Sequence, residues 1–361
     1  MDRKIKLCIL ANDQQDDHRL WMDACDDHSD IVEYDVVDLT GSGWIQNLNN
    51  KKYDYFLAKP PGIRASIKQL YDERIHILAQ TVATPIMPRP QEIYIYENKR
   101  YFYSWLKAHN LPHPETNIFY FQKEAMDFLN SCKYPVVAKN NIGASGSGVI
   151  ILHNKSEADR YVKDCFSQKG AHRRWGPNLS KGGLLKRGFH YVLKPGDIRK
   201  KLDVYQAVKG EKQKGFVIFQ EYIPHDFEWR VVAIGDSYFA HKKLKNNEKA
   251  SGSLLKGYEN PPLKLFGFAK NLMDRFHFTS QAIDLFETKE GKLLVNEMQC
   301  IFGQSDPYQM LVNGKPGRYR FKNEKWLFEE GEFNENESYD LRLLTVIKSL
   351  ATPQDNNSSI V

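Results

Sequence analysis

The chain has 361 residues, which is more than one ordinary hydrophobic core needs and enough for two or three subdomains. Hydrophobic residues make up 41% and charged residues 27%, as in a globular protein, and no apolar run approaches the roughly 20 residues of a membrane-spanning helix. The net charge of +6 is modest. Composition thus excludes an integral membrane protein and argues against nucleic acid as a partner.

The start of the chain and its cysteines indicate the compartment. Residues 7–10 form a short strand-like apolar run after a charged start, without the longer apolar core of a signal peptide. The five cysteines are scattered and show no CxxC spacing. We therefore expect reduced thiols and a cytoplasmic location.

Strand-like and helical runs alternate over the first ninety residues. Strand patterns occupy residues 7–10, 32–39 and 53–58, and helical spacing occupies residues 18–24 and 64–80. Strands separated by helices favour a parallel sheet. Because the proline-rich residues 84–90 disfavour a continuing helix, residues 1–91 are expected to form a Rossmann-like N-terminal domain.

A glycine-rich loop follows a buried strand in the next unit, residues 92–223. A helix opens at Asn98-Lys99, and strand 135–139 ends in Lys139. The loop's candidate phosphate-binding residues, which offer backbone N–H groups and hydroxyls, are Gly143, Ser145, Gly146, Ser147 and Gly148. The loop could equally be a simple hairpin turn, but a lysine at the preceding strand end favours phosphate.

A second candidate nucleotide segment contains Gln220, Glu221, Tyr222 and Ile223, with Glu228 shortly after. Backbone groups of this segment can read adenine, and a carboxylate can accept from ribose hydroxyls. The alternative is that Glu221 faces solvent and Glu228 pairs with Arg230. The residues themselves leave both interpretations open.

The last unit, residues 224–352, contains a predicted β-hairpin with oxygen ligands. Alternate residues of a strand share a face, so Glu297 and Gln299 point the same way, and Asp284 on the paired strand can face them. Carboxylate and amide oxygens suit Mg²⁺, although an ordinary polar surface hairpin has the same pattern. Residues 353–361 are polar and are predicted to be a disordered tail.

Positive charge is concentrated in residues 169–214, which contain thirteen Lys or Arg against three Asp or Glu. A solvated surface insertion and a site for an anionic substrate both remain open. Nucleic acid is disfavoured because stacking aromatic residues are sparse.

These motifs, in this order from residue 97 to 303, resemble the ATP-grasp superfamily, which includes D-alanine:D-alanine ligase, glutathione synthetase and the ribosomal-protein glutamate ligases. The pattern is most similar to the branch of the glutamate ligases and glutathione synthetase. The resemblance implies an α/β architecture in which an N-terminal parallel-sheet domain precedes two α+β subdomains that sandwich ATP.

The resemblance also implies roles for individual residues, with ATP and Mg²⁺ as cofactors. Lys99 and Lys139 would contact the phosphates under a lid formed by residues 143–148, residues 220–223 would hold adenine, and Glu228 would hold the ribose. The implied metal ligands are Asp284, Glu297 and Gln299. The implied catalytic residues near the phosphate or substrate are Arg230, Lys242 and Lys249.

This sequence departs from the family pattern beside the metal ligands. Many members have Glu-x-Asn where this chain has Glu297-Met298-Gln299, and the Pro-Gly that usually follows is replaced by Ile301-Phe302-Gly303-Gln304-Ser305-Asp306-Pro307. That segment usually borders the substrate. The departure therefore leaves the acceptor unidentified.

The family resemblance implies an ATP-dependent ligase that joins a carboxylate to an amine or thiol through an acylphosphate. The expected substrate is an anionic small-molecule or peptide carboxylate, with a contribution from the turn at residues 59–64, which could also be an ordinary strand-to-helix turn. A kinase with Asp306 or His241 as base, and a non-catalytic nucleotide-binding module, are the alternatives. A homodimer is left open.

Overall fold

A computed structural model describes residues 3–49, 51–143, 148–172, 195–246, 249–250 and 255–351. Within these residues, no helix combines the length and apolar character that a membrane crossing requires. The predicted loop residues 144–147, the basic residues 173–194, residues 251–254 and the tail lie outside the described residues.

The N-terminal unit is built on a parallel sheet with the strand order β2-β1-β3-β4, as the alternation of strands and helices predicted. Its elements are β1 (Ile5–Ala11), α1 (Arg19–Asp27), β2 (Val32–Asp38), α2 (Trp44–Asn49), β3 (Tyr55–Ala58), α3 (Ala65–Thr81), β4 (Ile86–Met87) and α4 (Pro90–Ile95). Pro90 begins α4, since proline is tolerated in the first helical turn. The predicted boundary at residue 91 therefore falls inside a short helix.

The central unit contains an antiparallel sheet in the order β5-β10-β6-β7. Its elements are α5 (Lys99–Ala108), β5 (Thr116–Phe119), α6 (Gln122–Ser131), β6 (Val136–Lys139), β7 (Val149–Leu152), α7 (Lys155–Cys165), β8 (Ala171–His172), α8 (Pro195–Gly210), β9 (Lys212–Gln213) and β10 (Val217–Glu221). Strand β6 pairs with β7 across the glycine-rich loop. The strand predicted before the glycine-rich loop is thus present, and a second strand follows the loop.

The C-terminal unit contains a larger sheet in the order β16-β15-β11-β12-β18-β17, with β13 and β14 on β12 and β19 on β18. Its elements are β11 (Phe227–Ile234), β12 (Ser237–Asn246), β13 (Lys249–Ala250), β14 (Lys256–Gly257), α9 (Lys264–Phe276), β15 (Ser280–Glu287), β16 (Leu293–Gln299), β17 (Leu311–Val312), β18 (Lys315–Lys322), β19 (Lys325–Glu330), a 3₁₀ turn (Glu335–Ser338) and α10 (Tyr339–Ala351). The predicted hairpin is present as β15–β16, and β11 and β12 form a second hairpin.

Two helices join these units. The apolar face of α5, which includes Phe102, Trp105 and Leu106, belongs to the hydrophobic core of the C-terminal sheet. Helix α10 belongs to the C-terminal unit but packs against the N-terminal unit, because its Tyr339 and Leu343 belong to the hydrophobic core of that unit. The sheet that carries the predicted metal ligands is therefore held against both other units by burial of apolar surface.

Glu92 provides a polar connection between α4 and the beginning of β15. Its side chain is fully buried and accepts hydrogen bonds from the backbone N–H of Ser280 (2.8 Å), the Thr279 hydroxyl (2.6 Å) and the Gln281 amide (3.1 Å). Burial raises the pKa of this carboxyl, and those donors oppose the rise. Glu92 thus fixes the start of the strand that carries Asp284.

Glu92→Ala is expected to lower the free energy of unfolding by about 3 kcal/mol, because buried donors lose their acceptor. Glu92→Gln, which keeps one acceptor oxygen, should cost about half as much. The measurement is urea denaturation. Glu33→Ala is the control, because Glu33 is exposed on β2, and its effect should stay within about 0.5 kcal/mol. Equal stability of the Glu92→Ala and Glu33→Ala variants would contradict the expectation.

Candidate active site

A row of charged side chains crosses one face of the C-terminal sheet. In the strand register, Glu297 of β16 lies opposite Asp284 of β15, and Asp284 lies opposite Arg230 of β11. Gln299 lies opposite Ala282, two residues along both strands from the first pair. Because paired residues of a sheet point to the same face, Asp284, Glu297 and Gln299 share one face.

Asp284 is the most buried carboxylate of this row. Its side chain accepts from Arg230 Nε at 2.8 Å and Nη2 at 2.9 Å, and from Lys243 Nζ at 2.6 Å. Burial alone would raise the pKa of Asp284, but Arg230 and Lys243 outweigh it and hold the pKa well below its usual range. The carboxylate is therefore ionised, and it fixes both cations on the face of the sheet.

Lys243 connects Asp284 to Glu228. Its Nζ lies 2.8 Å from Glu228 Oε2, and the Asn296 amide donates to Glu228 Oε1 at 3.2 Å. The side chains of Lys243 and Glu228 are both almost completely buried. Glu228 thus pairs with Lys243 rather than with Arg230, which was the alternative considered from the sequence.

Two lysines approach this row from the central unit. Lys139, at the end of β6, donates to Tyr103 Oη at 2.5 Å and to Asn296 Oδ1 at 2.8 Å. Lys99, at the start of α5, lies 3.5 Å from Glu297 Oε1. Burial lowers the pKa of Lys139 to about 7, while Glu297 opposes that shift. The two predicted phosphate lysines therefore meet the predicted metal carboxylate.

The ends of the glycine-rich loop are held to the central unit. The Gly143 N–H donates to Glu97 at 2.9 Å, and its carbonyl accepts from Lys99 at 3.1 Å. At the other end, the Gly148 carbonyl accepts from Asn140 N at 2.7 Å. A Cβ added to Gly148 would lie 2.9 Å from Asn140 Cβ, so only glycine fits there. Ser145, Gly146 and Ser147 lie outside the described residues.

The predicted adenine segment begins inside β10 and leaves the sheet. Gln220 is buried and donates to the Thr116 hydroxyl at 3.0 Å, while the Glu221 side chain is exposed. Tyr222 and Ile223 follow the strand and are half-buried. Strand β10 thus ends at Glu221, and residues 222–226 lead from it to β11 of the C-terminal sheet.

The structure separates Lys242 from the rest of the predicted set. In the register Lys242 lies opposite Trp229, so it points to the other face of β12 from Lys243. Its Nζ lies 2.5 Å from Glu259 Oε2 and 4.2 Å from the centre of the Phe227 ring. Lys249 lies in β13, and its side chain falls outside the described part of the structure. We therefore assign neither Lys242 nor Lys249 to the charged row.

Sequence reasoning missed two residues that connect the site. Tyr103 lies four residues after Lys99, which places both on one face of α5, and this helical spacing was the available signal. Asn296 directly precedes Glu297 and bonds both Lys139 and Glu228. Alternation alone would place Asn296 on the other face, but the β15–β16 register shifts between Asp284 and Leu285 and leaves Asn296 as an extra, unpaired residue of β16.

The candidate ligands fit Mg²⁺ only together with phosphate oxygens. Among the described residues, no cluster of three or more His, Cys, Asp or Glu side chains could hold a metal. The predicted set offers the half-buried Glu297 and Gln299, and an Asp284 whose carboxylate is already bound by Arg230 and Lys243. Mg²⁺ commonly completes its octahedral shell with water and nucleotide phosphates, so this oxygen set suits a nucleotide-bound ion.

Asp284→Asn is expected to lower the free energy of unfolding by about 3 kcal/mol at pH 7, because Arg230 and Lys243 would remain buried without their carboxylate. Urea denaturation measures this. Since the folded-state pKa of Asp284 is depressed, the stabilisation is present above the unfolded pKa near 4 and is lost as the pH falls. The difference between wild type and variant should therefore shrink below about pH 4. A pH-independent difference would contradict the pairing.

Known proteins share part of this sequence and its overall architecture. Residues 97–174 match the family model described as phosphoribosylglycinamide synthetase, ATP-grasp (A) domain. No curated protein matches the chain. The family match covers a minority of the chain, so the solved structures carry the comparison of the whole fold.

The structure of N5-carboxyaminoimidazole synthase from Aspergillus clavatus, in complex with ADP and an aminoimidazole ribonucleotide, matches 96% of this chain and 77% of that one, with 10% identity and a TM-score of 0.56. D-alanyl-alanine synthetase A from Vibrio cholerae matches 98% of this chain and 100% of that one, with 12% identity and a TM-score of 0.53. The biotin carboxylase domain of 2-oxoglutarate carboxylase from Hydrogenobacter thermophilus, solved with magnesium ADP and bicarbonate, matches 84% and 65%, with 11% identity and a TM-score of 0.50. The chain therefore has the fold of the ATP-grasp superfamily, as its motifs predicted.

Proposed function

We propose that this protein is an ATP-dependent ligase that joins a carboxylate to an amine, or to a thiol, through an acylphosphate. The observation that carries this proposal is the convergence of Lys99 and Lys139 from the central unit on Glu297 in the row of the C-terminal sheet. Cations and Mg²⁺-type oxygen ligands are the groups that phosphoryl transfer requires. The ATP-grasp fold supports the assignment, since proteins with this fold include the ligases named above.

The nucleotide would lie between the two sheets. Lys99 and Lys139 would bind its phosphates, and residues 143–148 would cover them. The backbone of residues 221–223, next to Gln220, would hold adenine. Glu228 would accept from the ribose, because its Oε1 receives only a long 3.2 Å hydrogen bond from Asn296 and a distant His225 at 3.9 Å.

Glu297 and Gln299, with remaining lone pairs of Asp284, would hold Mg²⁺. Mg²⁺ bound there would supply positive charge against the phosphate oxygens. Arg230 uses Nε and Nη2 on Asp284, which leaves its Nη1 for the transferred phosphoryl group. Asp284 therefore aims Arg230 as well as contributing charge.

In the reaction, the substrate carboxylate would attack the γ-phosphorus and release ADP, and the amine would then attack the carbonyl and release phosphate. The chain's residues bind, orient and exclude water, since an acylphosphate open to water hydrolyses. No protein nucleophile is needed. Cys300, the thiol nearest in sequence to Glu297 and Gln299, is fully buried, and burial raises its pKa far above the usual range.

The direct test incubates the protein with ATP, Mg²⁺, hydroxylamine and a panel of carboxylic acids. A ligase that forms an acylphosphate should yield a hydroxamate together with ADP. A stable phosphorylated product without hydroxamate would identify a kinase instead. Nucleotide binding without any turnover across the panel would favour a non-catalytic module and would contradict the proposal.

Glu297→Gln is expected to reduce turnover by about 100-fold or more and to change ATP affinity by less than about fivefold, because a metal ligand acts mainly on charge that develops in the transition state. Hydroxamate formation and calorimetric ATP binding measure the two effects. Glu290→Gln is the control, since Glu290 lies exposed in the turn of the same hairpin. Unchanged turnover in Glu297→Gln would exclude its role as a metal ligand.

Lys139 should give ATP binding a pH dependence. Its pKa of about 7 in the free protein should rise when phosphate binds, so binding at pH 8 should take up a proton and ATP affinity should fall as the pH rises from 7 to 9. Calorimetry in two buffers of different ionisation enthalpy measures the uptake. Lys139→Met should abolish it, whereas Lys155→Met, on the surface of α7, should not. Equal uptake in both variants would exclude Lys139 from the phosphate site.

A further inference from the structure

The charged row continues beyond Arg230, away from the metal ligands. His241 of β12 lies opposite Arg230 in the strand register, so its side chain shares the face of Asp284 and Glu297. The next strand, β14, is followed by Tyr258, whose ring lies 5.8 Å from the His241 ring. With neighbouring strands about 4.8 Å apart, His241 lies about 5 Å from the Arg230 strand and about 10 Å from that of Asp284.

His241 presents a buried hydrogen-bond acceptor. The side chain is almost completely buried, and its Nδ1 lies 2.9 Å from the Gln309 carbonyl oxygen. Because a carbonyl only accepts, Nδ1 carries the proton and Nε2 carries a lone pair. Among the residues that the structure describes, none donates to this Nε2. A buried acceptor without a partner is unfavourable, and a bound donor would remove that cost.

The surroundings keep His241 neutral. Burial, reinforced by Arg230, lowers the pKa of His241 to about 3. Nε2 therefore stays unprotonated at neutral pH and remains a hydrogen-bond acceptor. A ligand at this position must bring its own N–H or O–H group.

The neighbouring charges are already compensated by one another. Lys256 lies 2.7 Å from Asp306, and the Tyr258 hydroxyl donates to the same carboxylate at 2.8 Å. Arg230 is bound by Asp284. A neutral donor therefore suits the position better than a carboxylate, which would find no uncompensated cation among these residues, or an ammonium, which would approach Arg230 and Lys256.

The orientation of His241 is fixed by the segment that follows the metal strand. Gln309, which accepts from His241, donates its side-chain amide to Asn334 Oδ1 at 2.9 Å. Asn334 in turn donates to the Gln304 carbonyl at 2.8 Å. Residues 304–309, which follow β16, are thus anchored to Asn334 and hold the imidazole in one tautomer.

We propose that His241 Nε2 binds the attacking nucleophile, a neutral primary amine, by accepting a hydrogen bond from its N–H. This inference rests on the proposed function and names the nucleophile subsite of that site. The amine nitrogen forms a bond to the acyl carbon, the bond from that carbon to the phosphate oxygen breaks, and one amine proton leaves with the phosphate. His241 orients the nitrogen lone pair and does not hold the proton.

The first test does not require turnover. The protein is labelled with ¹⁵N-histidine, and the Nε2 resonance of His241 is assigned among the eleven histidines by its absence in His241→Asn. In the presence of Mg²⁺ and a non-hydrolysable ATP analogue, hydroxylamine serves as the amine probe. A saturable shift of this resonance is expected. An Nε2 that is protonated, or that does not shift at saturating hydroxylamine, would overturn the proposal.

The second test varies hydroxylamine in the hydroxamate assay. His241→Asn keeps an amide N–H near Nδ1 for Gln309 but lacks Nε2, so its KM for hydroxylamine should rise about tenfold or more with an unchanged KM for ATP. His241→Gln, which places an amide near Nε2, should recover part of the loss. A purely structural role predicts the reverse order and equal shifts in both KM values. If the wild type forms no hydroxamate, the proposed function fails, and the NMR titration still decides whether His241 binds an amine.

Discussion

The candidate site depends on one buried carboxylate, Asp284, and the cations that it holds. Burying an ionised carboxylate is costly unless it is paired and hydrogen-bonded, and here Arg230 and Lys243 supply the pairing at 2.6 to 2.9 Å. The same contacts fix Arg230 and Lys243 on one face of the sheet. Lys243 extends the network to Glu228, which brings the proposed ribose and phosphate sites into one set of hydrogen bonds. The network is therefore both a structural requirement and the scaffold of the proposed chemistry.

The sequence was sufficient for the fold class and for the residues whose position depends on local pattern. Alternation in β16 placed Glu297 and Gln299 on one face, and a lysine before a glycine-rich loop located Lys139. The sequence was insufficient where a shift of one residue along a strand changes the face of the sheet on which a side chain lies. Lys242 and Lys243 are adjacent in an unbroken strand, and only pairing with β11 shows which of them faces Glu228. The return of α10 to the N-terminal core was also hidden, because it depends on contacts between distant parts of the chain.

The two ends of the charged row differ in chemistry. At one end, Glu297 and Gln299 offer half-buried oxygens, which we propose hold Mg²⁺ together with phosphate. At the other end, His241 offers a buried acceptor beside charges that compensate one another. Arg230 lies between them in the same register. In the proposed reaction, the nucleotide phosphates would lie beside Glu297 and Gln299, the transferred phosphoryl group at Arg230 and the nucleophile at His241.

We propose that ATP binds with its phosphates between Lys139 and this row. A crystal structure of the protein with Mg²⁺ and a non-hydrolysable ATP analogue tests it most directly. We expect to find Mg²⁺ bound by Glu297 and Gln299 oxygens, the terminal phosphate within hydrogen-bond distance of Arg230, and adenine against residues 221–223. A triphosphate bound away from the row, or a metal ion held without Glu297, would contradict it.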